Sequence, residues 1–163
     1  MTGWEFLQRT MRPAAVAVLC GASLFGVLSA QAANPPIHIV NGIEYMSGGI
    51  GSDEAQFMET VSPRWAATFE FAVKDASNKQ GADFAANVQV QVRDANNGNS
   101  LLTATADGPF LLARLEPGHY AVEATLNGQT LKQELTVRPG EASKATFVWP
   151  PARCVPDPTL HFS

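Results

Sequence analysis

The sequence is poor in the residues that most often carry chemistry. Its 163 residues hold two cysteines and three histidines. Cys20 lies in an apolar N-terminal run and Cys154 in a proline-rich C-terminal stretch. If the run is removed on export, Cys154 has no partner and an internal disulfide is excluded; an unpaired thiol and a bridge to another chain both stay open. His38, His119 and His161 are far apart and do not have the spacing of a metal centre. No Gly-x-Ser-x-Gly elbow is present, and nothing points to a nucleophile with its base. Ser47-Gly48-Gly49-Ile50-Gly51 lacks the Lys-Ser/Thr of a phosphate loop, and the Asp53-Glu54 that follow would repel an anion. Asp94–Asn99 has Thr105 where a calcium loop needs its bidentate Glu, and reads as a hairpin turn. Charged residues make up 16% of the chain and are scattered, which argues against nucleic acid or anionic lipid as a partner. These absences predict a protein that is not an enzyme and needs no cofactor or metal.

One long hydrophobic run is present, Pro13 to Ser29, behind Arg9 and Arg12 and ahead of Ala30-Gln31-Ala32. A basic n-region, an apolar core and a small-x-small site are the parts of a secretory signal peptide. A retained anchor is the alternative, with a run at the short limit for a membrane span. Cleavage near Ala32 predicts a periplasmic protein with no membrane span after processing. It leaves 131 of the 163 residues, enough for one core, and moves the net charge from −4 to −5.

What the chain has in quantity is alternation. Asn34-Pro35-Pro36 forms a stiff linker, and Ile37–Val40, Asn41-Gly42 and Ile43–Met46 then predict a hairpin with a type I′ turn. Both its faces are largely apolar, so it is expected to be covered. Ser52 is placed as an N-cap, with Asp53 and Glu54 in the first turn of a helix of about two turns. Phe57 and Met58 would face the core, and Ser62-Pro63 would end the helix. From Trp65 the period is two: Trp65, Ala67, Phe69, Phe71 and Val73 share a face. Asp75 to Asp83 reads as a polar loop. Val88, Val90 and Val92 define the clearest strand, followed by a turn and a strand from Ser100 to Ala106. Phe110–Leu115 is a short apolar strand, Glu116-Pro117-Gly118 a type II turn, and Tyr120 opens the partner strand to which the others would add. Tyr120 is also placed to hydrogen-bond nearby backbone, as corner tyrosines do. Asn127-Gly128 is a second type I′ signal, Pro139-Gly140 a turn, and Ala145, Phe147 and Trp149 close the set.

Seven strands between Trp65 and Trp149, spaced about ten residues apart, predict an antiparallel β-sandwich of the mainly-β class, with the N-terminal hairpin and one short helix added. The expected organisation is a signal peptide over 1–32, hairpin and helix over 33–64, sandwich over 65–149 and an irregular proline-rich tail over 150–163. The rings at strand period (Trp65, Phe69, Phe71, Tyr120, Phe147, Trp149) are expected in the core. Tyr45 is the ring expected at the surface, and Arg114 and His119 flank the central turn; these three are the candidate docking residues.

Val88-Gln-Val-Gln-Val-Arg-Asp94, Thr105-Ala-Asp-Gly-Pro-Phe110 and above all Leu115-Glu-Pro-Gly-His-Tyr-Ala-Val122 resemble the carboxypeptidase regulatory-like domains. Those are seven-stranded sandwiches, Ig-like in layout and also called transthyretin-like or prealbumin-like. The resemblance covers roughly Phe84 to Trp149, about half of the processed chain. It implies a folding, docking or adhesion role in the cell envelope, with an envelope protein as partner. The architecture is also similar to that of starch-binding-like modules, which keeps a polysaccharide partner as the alternative and a small hydrolase behind it. The related purine-pathway hydrolases end in Tyr-Arg-Gly-Ser, whereas this chain ends Thr159-Leu-His-Phe-Ser163. Neither partner identity nor oligomeric state can be read from the residues.

Overall fold

The computed structural model describes residues 34–75 and 82–151. The expectations for the leader, Cys154, His161 and the tail beyond 151 lie outside those residues. Strand is the dominant element, arranged in two sheets with one helix. Ten strands are present among the described residues: β1 (Ile37–Val40), β2 (Ile43–Gly48), β3 (Ala67–Lys74), β4 (Ala82–Phe84), β5 (Val88–Asp94), β6 (Ser100–Ala106), β7 (Phe110–Ala113), β8 (Gly118–Leu126), β9 (Gln129–Val137) and β10 (Ser143–Trp149). One sheet runs β1-β2-β7-β3-β10, with β4 also on β3; the other runs β6-β5-β8-β9.

The count exceeds seven for two reasons. The hairpin is not an appendage, because β2 hydrogen-bonds along β7 and so extends the first sheet by two strands. At the end of the stretch read as a polar loop, and one residue past it, Ala82–Phe84 pairs with the far end of β3. The set is also not wholly antiparallel. The Arg138–Ala142 turn carries the chain from the end of β9 to the start of β3, where Ser143 N–H donates to the Ala66 carbonyl at 2.9 Å. From there β10 can only run alongside β3 in the same direction, and it does.

The largest revision concerns residues 110–126. β7 and β8 are not a hairpin pair: they belong to different sheets, and Arg114–Pro117 crosses between them. Gly118 keeps a negative φ, so no type II turn forms there. The corner tyrosine does form, with Tyr120 Oη donating to the Glu116 carbonyl at 2.5 Å. Burial raises the phenol's pKa, helped by the nearby charges of Asp94 and Glu116, which keeps it a protonated donor.

The type I′ turns hold. Asn41 and Gly42 have φ of 51° and 81°, Asn127 and Gly128 of 48° and 80°. Between the sheets, Val88, Val90 and Val92 meet Phe69, Phe71, Phe147 and Trp149 in one apolar cluster. Phe71, Phe147 and Trp149 form a ring triangle with centroids 5.9–6.4 Å apart. Full burial of side chains of this size contributes about 1.5–3 kcal/mol each.

A second, smaller core lies on the outer face of the first sheet. Helix α1 (Ser52–Val61) lays Met58, fully buried, on Met46, Phe110 and Leu112. Trp65 joins this cluster rather than the seam between sheets. It precedes β3, after a 3-10 turn at Ser62–Arg64, and so does not share the strand's alternation. Ser52 is not the cap; Gly51 holds that position, and Ser52 Oγ bonds Asp53. Glu54 reaches back instead, accepting from Gly49 N–H at 2.6 Å. Phe57 is half-buried against the same cluster.

Candidate docking site

Arg114 leaves the end of β7, where register sets it beside β2. Its N–H donates to the Glu44 carbonyl at 2.9 Å, its Nε sits 2.9 Å from Glu44 Oε2, and its guanidinium lies 4.6 Å over the Trp65 ring. A planar cation held on an aromatic face by a carboxylate loses little further entropy when it meets a ligand. His119 stands on β8 opposite Thr136, with Nδ1 3.1 Å from Thr136 Oγ1. Arg114 and His119 line one groove of about 510 Å³, together with Asn41, Asp94 and Asn96.

Tyr45 is not part of that groove. It is half-buried against the inter-sheet core, with His38 stacked on it at 5.2 Å across the hairpin. The ring expected at the surface is thus half-buried. β1–β2 pairing turns Tyr45 to the side where the second sheet lies. Trp65, Phe69, Phe71, Tyr120, Phe147 and Trp149 are all buried, at most 5% exposed.

The carboxylate sharing a strand face with His119, Glu123, is bonded by Lys132 Nζ at 2.6 Å. That hydrogen bond, with the charges of Lys132 and Arg93 behind it, holds the Glu123 carboxyl below the usual glutamate range against a smaller desolvation effect. A lowered acid pKa in the fold stabilises it above the ordinary glutamate value, and the contribution fades as pH falls through the lowered one. NMR titration of Glu123 should therefore show its pKa rising in Lys132→Met. Because the pair is exposed, the variant should lose under about 1 kcal/mol of stability. Asp94 is likewise committed, accepting from Asn96 N–H at 2.7 Å in the β5–β6 turn. No cluster of three His, Cys, Asp or Glu suited to a metal occurs among the described residues.

Two surface features escape the alternation pattern. β1 pairs on one side only, and its Ile37 and Ile39 are 54% and 67% exposed, so the hairpin is covered at β2 but not at β1. Phe84, at the end of short β4, is 70% exposed with its ring 6.4 Å from that of Phe110. A second groove of about 440 Å³ lies beyond the Arg114–Pro117 crossover and includes Arg64 and Arg138. No protein-family model and no curated protein matches the chain.

Proposed function

We propose that the protein is a non-catalytic binding module of the bacterial cell envelope, exported to the periplasm, which accepts a strand of another envelope protein along β1. One observation carries this reading. β1 is an edge strand with no charged residue and two exposed isoleucines, Ile37 and Ile39. Although Pro35-Pro36 precedes it, Ile37–Val40 itself holds no Lys, Pro or bulge of the kind that guards edge strands, so this apolar edge is a template for β-augmentation. The resemblance of Phe84–Trp149 to carboxypeptidase regulatory-like domains supports the same role. Burial of the large rings leaves a pyranose no stacking platform among them, which counts against the polysaccharide alternative.

The test is retention of envelope proteins by the immobilised protein and by its Ile37→Lys/Ile39→Lys variant. Both side chains are exposed, so the variant should fold normally and lose a specific partner. Equal retention by both proteins would remove the proposal.

A further inference from the structure

We propose that the second groove is a separate binding site, for an acidic peptide segment. Three arginines line it from three separate stretches: Arg64 from the 3-10 turn, Arg114 from the crossover after β7, and Arg138 from the turn after β9. Only one other arginine, Arg93, occurs among the described residues, so the planar, fork-shaped cations of an acidic chain are gathered at one end of the sandwich. Arginine, rather than lysine, matches a carboxylate through paired N–H donors. The groove's volume of about 440 Å³ falls within the roughly 300–1,000 Å³ typical of ligand sites.

The three cations differ in their engagements. Arg114 is fixed by Glu44 and Trp65. Arg138 has an exposed contact to Glu141 at 3.6 Å, with side chains 71% and 65% exposed, the kind of pair that contributes little and exchanges readily. Arg64 is exposed and its side chain makes no hydrogen bond or ion pair among the described residues. Glu116 and Glu141 also line the groove. With Glu44 on Arg114 they balance the three arginine charges and disfavour a compact polyanion, so recognition rests on unpaired Arg64 and on Arg138, whose exposed partner a carboxylate of an extended chain can displace. Pro63, Pro117 and Pro139 stiffen those walls. The Trp65 face is covered by Arg114, which leaves no platform for a sugar ring.

The experiment measures binding of a fluorescein-labelled oligo-glutamate peptide to the full chain by anisotropy at low salt. An oligo-glutamine peptide and an oligogalacturonate of matched charge are run beside it. The glutamate peptide should bind and the glutamine peptide should not, and Arg64→Ala/Arg138→Ala should weaken binding about tenfold or more, as loss of charge-assisted bonds implies. Both residues are exposed, and Arg64→Lys/Arg138→Lys keeps the charge without the fork; it should recover binding only in part. Ile37→Lys/Ile39→Lys should bind the peptide like the parent, since the edge strand and the groove are different surfaces, so one proposal can fail without the other. No glutamate binding, equal glutamine binding, binding indifferent to the arginines, or tighter binding of oligogalacturonate through them would each overturn the assignment.

Discussion

Truncation of Trp149 to alanine should destabilise the protein by about 3–5 kcal/mol. Trp149 is 2% exposed, packs on Phe71 and Phe147, and donates its Nε1–H to the Gln129 carbonyl at 3.0 Å. It therefore joins the last strand of one sheet to the edge strand of the other. Trp149→Phe keeps most of the buried area and removes the hydrogen bond to the Gln129 carbonyl, so it should lose only about 1 kcal/mol. Chemical denaturation of the three proteins measures both differences. An unchanged midpoint for Trp149→Ala would mean that the ring is not structural and would revive a ligand-stacking role.

The second large effect is expected at Gly108, between β6 and β7. A Cβ there would fall on the carbonyl carbon and oxygen of Gly48 and lie 3.1 Å from its Cα. Those are backbone atoms and cannot rotate aside, and Gly48↔Phe110 is the terminal rung of the β2–β7 ladder. Gly108→Ala should cost about 3 kcal/mol, at the upper end for overpacking. The damage should be local at first: hydrogen exchange would lose protection in β2 and α1 before the β6-β5-β8-β9 sheet. Gly128→Ala is the control, since its φ is +80° but nothing lies within 4 Å of a Cβ there, and strain of about 1–2 kcal/mol is all that should appear. Equal effects at both sites would contradict a tight β2–β7 junction.

Strand existence was legible in the sequence wherever burial follows period two. Val88, Val90 and Val92, and likewise Ala145, Phe147 and Trp149, alternate with more exposed residues because one face is dry. The two Asn-Gly turns were legible because few other pairs accept φ > 0 twice. Topology was not. Leu115-Glu-Pro-Gly looks the same locally whether the chain doubles back in one sheet or crosses to another, and only long-range pairing of β7 with β2 and β3 decides. The fully buried run Phe110–Ala113 was the available signal, because a strand buried on both faces must be central. Trp65 has the parity of β3's buried face but does not join it, because the strand begins two residues later. At the candidate sites, Arg114 and His119 were found from their position beside the crossover. Arg64 and Arg138 were not, because their proximity depends on three stretches that are distant in the chain. Ile37 and Ile39 carried no warning, since an apolar strand reads as buried until its neighbours are known.

Site-specific photo-crosslinking in intact cells tests the strand-acceptor proposal most directly. A photoreactive residue is placed in turn at Ile39 on the β1 edge and at exposed Glu134 on β9. The β1 position should yield a discrete adduct with one envelope protein, lost when Ile37→Lys is added, and the β9 position should not. The same adducts from both positions, or none from Ile39, would contradict it.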